Sequence, residues 1–437
     1  MFELAAPSAE FRHQHRTIPI DGFEDGEGTH KVRFMPDAPG EWTYTSSTGA
    51  SGRFEVTPPS AGNHGPVRAS NTFHFAYADG TPYNPIGTTC YAWTHQGEAL
   101  ETQTLATLRS APFNKMRMCI FPKHYAYNDN EPERYPFIGT EFNAPFFQHL
   151  DQRIRQLGQL GIEADLILFH PYDRWGYSSM SREMDDRYLR YVVARFAAYR
   201  NVWWSLANEF DLMKTKQMSD WDRFFRIVQE SDPYSHLRSI HYSKTMYDFS
   251  RPGVTHVTMQ DDDFSKTIAW RDMFRKPLIY DECKYEGNIR QRWGNISARE
   301  LVRRFWLGIT QGAYVGHGET YLHPRDILWW SKGGVLHGES PQRIAFLRRI
   351  LDQAPPGGLN PTSDYYCSAG HPGRYYLYYF DFHQPNGYEF DLLGSAPYQA
   401  DLIDPWNMTI TPIAGSFRGK FRLDLPGKPY LAVRLQA

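Results

Sequence analysis

Between residues 70 and 355, short apolar runs alternate with segments of helical spacing, and this alternation constrains the fold most strongly. The helical segment at residues 143–161, for example, places Phe147, Leu150 and Ile154 on one face. The eight predicted strands run near Pro85 to Gly87, then Met116 to Phe121, Ala164 to Phe169, Val202 to Leu206, Arg238 to His241, Val254 to Met259, Pro277 to Tyr280 and Gly312 to Val315. Eight strand–helix units predict an α/β fold of the (β/α)8 TIM barrel type. No Gly-x-Gly-x-x-Gly follows any strand, which disfavours an open dinucleotide-binding sheet.

Both flanks of this region have β patterns instead of helical ones. Residues 1–62 contain short alternating runs such as Glu41 to Tyr44, separated by turn residues, and predict a small N-terminal β module. After Pro355-Pro356 the helical spacing stops, and runs such as Arg374 to Phe380 predict a C-terminal β-sandwich over residues 356–437. The catalytic barrel is therefore expected at residues 63–355.

Composition excludes several classes of partner. The net charge of −2 argues against nucleic acid or an anionic membrane, because both require a concentrated positive surface. The N-terminus lacks a signal-peptide pattern and no apolar run has membrane-spanning length, so we expect a cytoplasmic protein. The four cysteines are widely spaced without a C-x-x-C pair, which predicts free thiols. We expect no cofactor, and a homo-oligomer remains open.

Two glutamates follow predicted strands at the end where TIM barrels carry their active sites. Asn208-Glu209 follows the fourth strand, and Asp281-Glu282 follows the seventh. Cleavage of a glycosidic bond needs two carboxyl groups beside the anomeric carbon, one to attack or activate water and one to protonate the departing oxygen. Burial and mutual repulsion can keep one glutamate ionised and the other protonated. An aromatic content of 16% suits a carbohydrate site, although it suits an aromatic core equally well.

The segments that carry these glutamates resemble those of a known clan. Trp204 to Glu209 resembles the strand-4 signature of the clan A glycoside hydrolases, and Pro277 to Glu282 resembles their strand-7 segment. The resemblance implies a retaining glycosidase in which Glu209 is the acid/base, Glu282 is the nucleophile and Asn208 binds the sugar 2-hydroxyl. More narrowly, Phe34 to Asp37 and Gly40 to Tyr44 resemble the N-terminal β module of a bacterial group of glycoside hydrolases that also carries a C-terminal sandwich.

Further residues near the strand ends are candidate substrate ligands. The resemblance favours His170, Asp173 and His317 as ligands of sugar hydroxyls, and places Arg117 near the nucleophile. His124 follows the second strand, and Tyr242, after the fifth, could donate a hydrogen bond to the nucleophile. The tryptophans near strand ends, any of which could be a sugar platform or could simply pack in the core, are Trp93, Trp175, Trp329 and Trp330. We expect one of the last two to be a platform.

Other interpretations remain open at this point. Glu209 could complement a helix dipole, and Glu282 could pair with Lys284. Asp281 precedes Glu282 by one residue, so it should point away from the barrel axis if Glu282 points inward. A non-catalytic carbohydrate-binding barrel is one alternative function. A metal-dependent hydrolase using His170, His241 and His317 is another, and chelator sensitivity would reveal it. Long loops after strands 2, 3 and 8 favour exo action on an oligosaccharide or glycoside.

Overall fold

The computed structural model describes residues 7–129, 131–363, 367–394 and 396–437, and its centre is an eight-stranded parallel barrel. Residues 1–6 of the predicted N-terminal module lie outside the described residues. Barrel strands 1 to 8 are Gly87–Thr89, Lys115–Cys119, Glu163–Phe169, Val202–Ala207, Arg238–Ser239, Val257–Gln260, Leu278–Glu282 and Tyr314–His317. Their order in the sheet is 5-4-3-2-1-8-7-6, so each strand lies beside its neighbour in sequence. The prediction of a TIM barrel is confirmed.

Helices cover the outside of the barrel. They are α1 Glu98–Ser110, α2 Ala144–Gln159, α3 Arg182–Phe196, α4 Met218–Ser231, α5 Thr267–Phe274, α6 Ala298–Thr310, α7 Trp329–Lys332 and α8 Ser340–Asp352. Short 3-10 turns lie at Trp93–His95, Tyr177–Ser179, Phe210–Leu212, Phe264–Lys266 and Arg292–Gly294. In α2 the apolar positions identified from the sequence, Phe147, Leu150 and Ile154, are buried against the strands. Within the described part of the chain, we find no helix with both the length and the apolar character needed to cross a bilayer.

The barrel has a seam between strands 5 and 6, where no strand ladder forms within the described residues. Side chains close it instead. The Ser239 hydroxyl donates to the His256 carbonyl at 2.6 Å, and the Thr258 hydroxyl donates to the Ile240 carbonyl at 2.7 Å. Two hydroxyls thus replace backbone hydrogen bonds that a fully laddered barrel would make.

The N-terminal module packs on the barrel through a buried ion network. Its strands are Ser8–His13, Arg16–Asp21, Phe23–Glu24, His30–Lys31, Gly40–Ser46 and Ser51–Val56, followed by a sheet of Val67–Ser70, His74–Tyr77 and Pro82–Tyr83. Arg33 donates to both carboxylate oxygens of Asp151 in α2, and Arg195 in α3 reaches Asp25 at 2.7 Å. Arg195 also contacts Asp151 at 2.6 Å, so one network joins the module to two barrel helices.

The C-terminal module is a β-sandwich of unequal sheets. Its six-stranded sheet has the order Asn360–Pro361, Ser368–His371, Tyr375–Tyr379, Ala432–Gln436, Tyr398–Asp404 and Thr409–Phe417, and its two-stranded sheet pairs Gly387–Asp391 with Lys420–Asp424. Because side chains alternate along a strand, Tyr376 packs between the two sheets while Tyr375 and Leu377 join the barrel's core. The sandwich therefore packs on the barrel through one apolar face of its six-stranded sheet.

The N-terminus of α8 is held by two buried glutamates from outside the helix. These glutamates begin two short segments, Glu286–Gly287 and Glu319–Thr320, which follow barrel strands 7 and 8 and pair in parallel. Elsewhere, a small hairpin pairs Phe137–Ile138 with Glu141–Phe142. Glu319 accepts the backbone N–H groups of His337 and Gly338 at 2.6 and 2.7 Å. Glu286 accepts those of Glu339 and Ser340 at 2.8 and 3.1 Å. A Cβ at Gly338 would lie 2.5 Å from Glu286 Oε2, so only glycine fits between these carboxylates.

Because several histidines are buried, we expect acid to lower the free energy of unfolding. Burial lowers the pKa of His95, His256 and His317 to about 3, and that of His170 to about 4. In the unfolded chain these rings take up protons below about pH 6.5. Their stabilising contribution is therefore complete above that pH and is lost as the pH falls towards 4. We expect the free energy of unfolding to fall by at least about 5 kcal/mol between pH 7 and pH 4.5. Urea unfolding followed by circular dichroism measures this, and a flat profile would contradict it.

Candidate active site

The ends of barrel strands 4 and 7 bring Glu209 and Glu282 into one hydrogen-bonded row. The Tyr91 hydroxyl, after strand 1, lies within hydrogen-bond distance of Glu282 Oε1 and is 3.0 Å from Asn208 Oδ1. Asn208 Nδ2 in turn donates to Glu209 Oε2 at 3.3 Å. Glu209 is 7% exposed and the Glu282 side chain 15% exposed, so both carboxylates lie in a recess that solvent barely reaches.

The backbone of Glu209 is left-handed. Its φ of 53° and ψ of 54° are unusual for a residue with a side chain and cost free energy of the order of 1 kcal/mol. Besides Asn208, two further neutral donors hold the carboxylate: the Tyr172 hydroxyl donates to Oε2, and Gln260 Nε2 donates to Oε1 at 3.2 Å. The strained conformation is thus over-determined by contacts and aims the side chain across the barrel mouth.

A buried charge network lies beneath the pair, inside the barrel. Lys115 Nζ is 2.6 Å from Asp165 Oδ2 and 2.9 Å from Asp281 Oδ1, and all three side chains are buried. Asp281 therefore points inward, and the prediction that it points away from the barrel axis is wrong. The register between strands 6 and 7 shifts here, since Met259 opposes Tyr280 and Gln260 opposes Glu282. This bulge interrupts the alternation of side chains, so Asp281 and Glu282 both face the interior.

Arg117 connects the network to Glu282. Its Nη1 lies 3.6 Å from Glu282 Oε1, and its Nη2 lies 3.3 Å from Asn208 Oδ1. Burial and the facing charge of Glu209 raise the pKa of Glu282, whereas Arg117 and the Tyr91 hydroxyl lower it. Burial and the charge of Glu209 prevail, so the pKa of Glu282 is raised overall. Of the two glutamates, Glu282 is the one that Arg117 contacts within the described residues.

Aromatic rings line the wall of the recess beside strand 1. Trp330 packs at 5.8 Å from Tyr91, 6.3 Å from Tyr125 and 4.8 Å from Trp293, measured between ring centroids. Lys123 Nζ lies 5.3 Å from the Trp330 ring centre, inside the same group. Of the two adjacent tryptophans predicted as platforms, Trp330 is therefore the one beside Tyr91, but at 3% exposure its ring is covered by this cluster.

Two other tryptophans are not platforms, so those predictions are wrong. Trp93 is fully buried in the core, and its indole N–H donates to Met118 Sδ at 3.1 Å. Trp329 is also buried, and its indole N–H donates to the Thr88 hydroxyl at 2.8 Å. Neither ring has a face left for a sugar.

Tyr242 and Asp173 serve the scaffold rather than the pair. The Tyr242 hydroxyl faces Met259 Sδ at 3.7 Å, so its predicted hydrogen bond to the nucleophile is wrong, and Tyr91 occupies that position instead. Asp173 accepts the N–H groups of residues 175 and 178 at 2.7 and 2.6 Å. Both its carboxylate oxygens thus order the loop after strand 3, and its role as a sugar ligand stays a prediction.

The strand-end histidines are withdrawn from the recess. His317 is fully buried with Nδ1 2.9 Å from the Thr88 hydroxyl, which corrects its prediction as a sugar ligand. His170 is 2% exposed, and its Nε2 lies 3.1 Å from the Phe121 carbonyl. Its ring is therefore held against the chain that follows strand 2.

The outer rim is formed by the loops after strands 2 and 3. His124 is half-buried and lies 3.0 Å from Asp129 Oδ1. Its ring meets that of Trp175 edge-on at 6.5 Å.

The structure contradicts the simpler interpretations of the two glutamates. Lys284 contacts Asp262 rather than Glu282. Glu209 precedes a short 3-10 turn, but its side chain makes no capping hydrogen bond. The neighbouring Asp211 is the structural carboxylate here, since it accepts three consecutive N–H groups at residues 243–245.

Candidate metal ligands come together elsewhere. Among the described residues, two groups could hold an ion: Glu98, Glu101 and His149, and the buried trio Glu286, His317 and Glu319. Neither group contains Glu209 or Glu282. The trio's two carboxylates already accept the N–H groups that begin α8, which accounts for their burial without an ion.

Four residues of the site were not predicted from the sequence: Tyr91, Lys123, Tyr172 and Gln260. The first three follow barrel strands 1, 2 and 3, and Gln260 is the last residue of strand 6, so their position was a usable signal. Their residue types gave no further indication, because tyrosine, lysine and glutamine are common in any loop.

Three known families match separate parts of the chain. The profile of apiosidase-like catalytic domains matches residues 69–347. Two domains of unknown function, DUF5060 and DUF5605, match residues 2–49 and 364–436. No curated protein matches the chain.

Solved structures extend the similarity over the whole chain. A protein from Bacteroides vulgatus assigned to the glycoside hydrolases is 38% identical with a TM-score of 0.94, covering 100% of this chain and 96% of that one. A glycoside hydrolase family 5 protein from the same species is 14% identical with a TM-score of 0.69, covering 86% of this chain and 94% of its own. The second match shows that the fold is shared.

Proposed function

Because this chain belongs to the family of apiosidase-like catalytic domains and is a glycosidase, we propose that it works by a retaining mechanism with Glu282 as nucleophile and Glu209 as general acid/base. The observation that supports the proposal is the row Glu282–Tyr91–Asn208–Glu209, in which Arg117 contacts Glu282 and Asn208 but, within the described residues, not Glu209. Two carboxyl groups in one recess, one of them next to a cation, match what double displacement requires.

The proposed reaction has two steps. The ionised form of Glu282, in contact with Arg117 and the Tyr91 hydroxyl, attacks the anomeric carbon while Glu209 gives its proton to the leaving oxygen. The sugar is then an ester of Glu282. Glu209, now ionised, takes a proton from water as the water oxygen attacks the same carbon, and the ester bond breaks. Both acids return to their starting state, and two inversions give net retention.

The recess suits the end of a glycan chain. Both carboxylates are nearly inaccessible, and Trp330 with its aromatic neighbours packs on one side, which supports access by a chain end over an internal segment. We propose exo action on an oligosaccharide or glycoside, with Asn208 and Arg117 near the sugar's 2-hydroxyl. We also propose that the catalytic unit is residues 63–355, flanked by the modules at 1–62 and 356–437.

The test is a screen of chromogenic aryl glycosides followed by proton NMR of the first-formed anomer. The panel includes apiosides because the matched family is described as apiosidase-like. Hydrolysis that first releases the anomer of the substrate's own configuration supports the proposal. Release of the opposite anomer would show an inverting enzyme and overturn the assigned roles. Labelled oligosaccharides then decide exo action, which requires monosaccharide as the earliest product.

Replacing the bridging tyrosine tests the row itself. Tyr91→Phe removes the hydroxyl that lowers the pKa of Glu282, so the acid limb of the kcat/KM profile should move to higher pH. We expect kcat/KM at its optimum to fall roughly ten- to a hundredfold, as for loss of a hydrogen bond to a charged group. Tyr188→Phe is the matched control, since its hydroxyl donates to the Leu168 carbonyl at 3.0 Å and not to a residue of the row. An unmoved acid limb in Tyr91→Phe would remove Tyr91 from the mechanism.

A further inference from the structure

Lys123 is a buried cation inside an aromatic cage. It follows barrel strand 2 and is 3% exposed. Its Nζ lies 3.6 Å from the ring centre of Tyr91, 4.5 Å from that of Tyr172 and 5.3 Å from that of Trp330. In the described part of the chain, its ammonium has no carboxylate within salt-bridge distance and no hydrogen-bond acceptor. The ring faces therefore provide its direct contacts.

Two of these rings are the ones that hold the two carboxylates. The Tyr91 hydroxyl contacts Glu282, and the Tyr172 hydroxyl contacts Glu209. A cation over the face of a phenol withdraws charge from the ring and makes its hydroxyl a stronger donor. Lys123 is thus linked to each member of the pair through one tyrosine, without touching either.

The other charged groups around Lys123 do not cancel this influence. Burial lowers the pKa of its ammonium, while Cys119, Glu209 and Glu282 raise it. Arg117 opposes it from the base of the recess. The two nearby imidazoles, His170 and His241, are kept neutral because burial lowers the pKa of each.

We propose that Lys123 is a positioning residue that sets the geometry and the ionisation of both Glu209 and Glu282 through the phenols of Tyr91 and Tyr172. The inference rests on the proposed function of the pair. The positive charge favours the ionised form of both carboxyl groups. Its two ring contacts also hold the phenols at a fixed separation, so that each hydroxyl meets its own glutamate.

The test compares Lys123→Met, which keeps length without charge, with Lys123→Arg, which keeps the charge. Carboxyl 13C NMR of protein labelled at glutamate Cδ follows both ionisations directly, with signals assigned from Glu209→Gln and Glu282→Gln. In Lys123→Met both midpoints should rise by about one pH unit, as when a nearby opposite charge is lost. In Lys123→Arg they should remain near the wild-type values. Lys332→Met, which removes another buried lysine outside the cage, should move neither.

The kcat/KM profile gives an independent readout. Both limbs should move to higher pH in Lys123→Met, because the nucleophile ionises later and the acid keeps its proton longer. A merely structural role would lower the amplitude and leave the limbs in place. Midpoints that stay unchanged in Lys123→Met, or move equally in Lys123→Arg, overturn the proposal. If the wild type hydrolyses no glycoside, the proposed function fails, while the NMR midpoints still decide the role of Lys123.

Discussion

Glu282→Gly is expected to lose hydrolysis by roughly four to six orders of magnitude and to regain turnover with azide, as when a nucleophile is removed from a mechanism that depends on it. The substitution removes the attacking oxygen and opens a cavity beside the anomeric carbon. Arg117 and the Tyr91 hydroxyl, which normally contact Glu282 Oε1, would then face an anion-sized space. Azide bound there attacks once, so the glycosyl azide should have inverted configuration. Proton NMR of the product measures this.

A matched variant separates the cavity from the chemistry. Glu282→Gln also removes the nucleophile but fills the same volume, so added azide should not restore its turnover. A glycosyl azide of retained configuration from Glu282→Gly would show that another group still forms the covalent intermediate. Wild-type rates in both variants would exclude Glu282 as a catalytic residue.

Glu209→Ala is expected to separate substrates by their leaving groups. Loss of a general acid should slow unactivated glycosides by roughly 10²- to 10⁴-fold. Dinitrophenyl glycosides need no proton on departure, so the Glu282 ester should still form, and should then accumulate because no base activates water. Added azide should release it as a glycosyl azide of retained configuration. Burst kinetics and product NMR measure the two steps.

Asp211→Asn serves as control, because this neighbouring carboxylate holds the loop after strand 5 through backbone N–H groups. It should keep the wild-type ratio of rates on activated and unactivated substrates. Exchanged stereochemistries between the two azide experiments would reverse the roles of Glu209 and Glu282. Equal slowing of both substrate classes in Glu209→Ala would deny it the role of acid.

Much of the fold could be predicted because barrel strands are buried on both faces and have apolar runs that end in polar residues. Val202 to Leu206 is such a run, and the structure has a strand at Val202–Ala207. The ends of these strands converge by the geometry of the barrel, which is why Glu209 and Glu282 could be paired across a long separation in sequence. Position along a strand was sufficient for these two residues.

Orientation was harder to predict than position. Trp329 and Trp330 are adjacent, yet the first donates a hydrogen bond to Thr88 in the core and the second packs on Trp293. Their sequence environment is the same, and only the path of α7 distinguishes them. Asp281 was misplaced for a related reason: the bulge beside it depends on register with strand 6, and no property of strand 7 alone reveals it.

The partners of the carboxylates could not be predicted because they cross the barrel. Tyr91 meets Glu282, and Tyr172 meets Glu209, from other strands. The family resemblance suggested a tyrosine partner for the nucleophile, and Tyr242 was the available candidate. Its hydroxyl faces Met259 instead, so the same chemical role is filled from a different strand.

The left-handed backbone at Glu209 lowers the stability of the fold, while the proposed activity requires a glutamate at this same position. Glycine or asparagine would adopt this φ with less strain, and either would remove a buried carboxylate from the barrel mouth. A lineage no longer selected for hydrolysis would therefore gain stability by losing this glutamate first. Among descendants of this fold, glycine or asparagine at this one site would identify a former enzyme that has become a binding protein, even where every surrounding aromatic ring is kept.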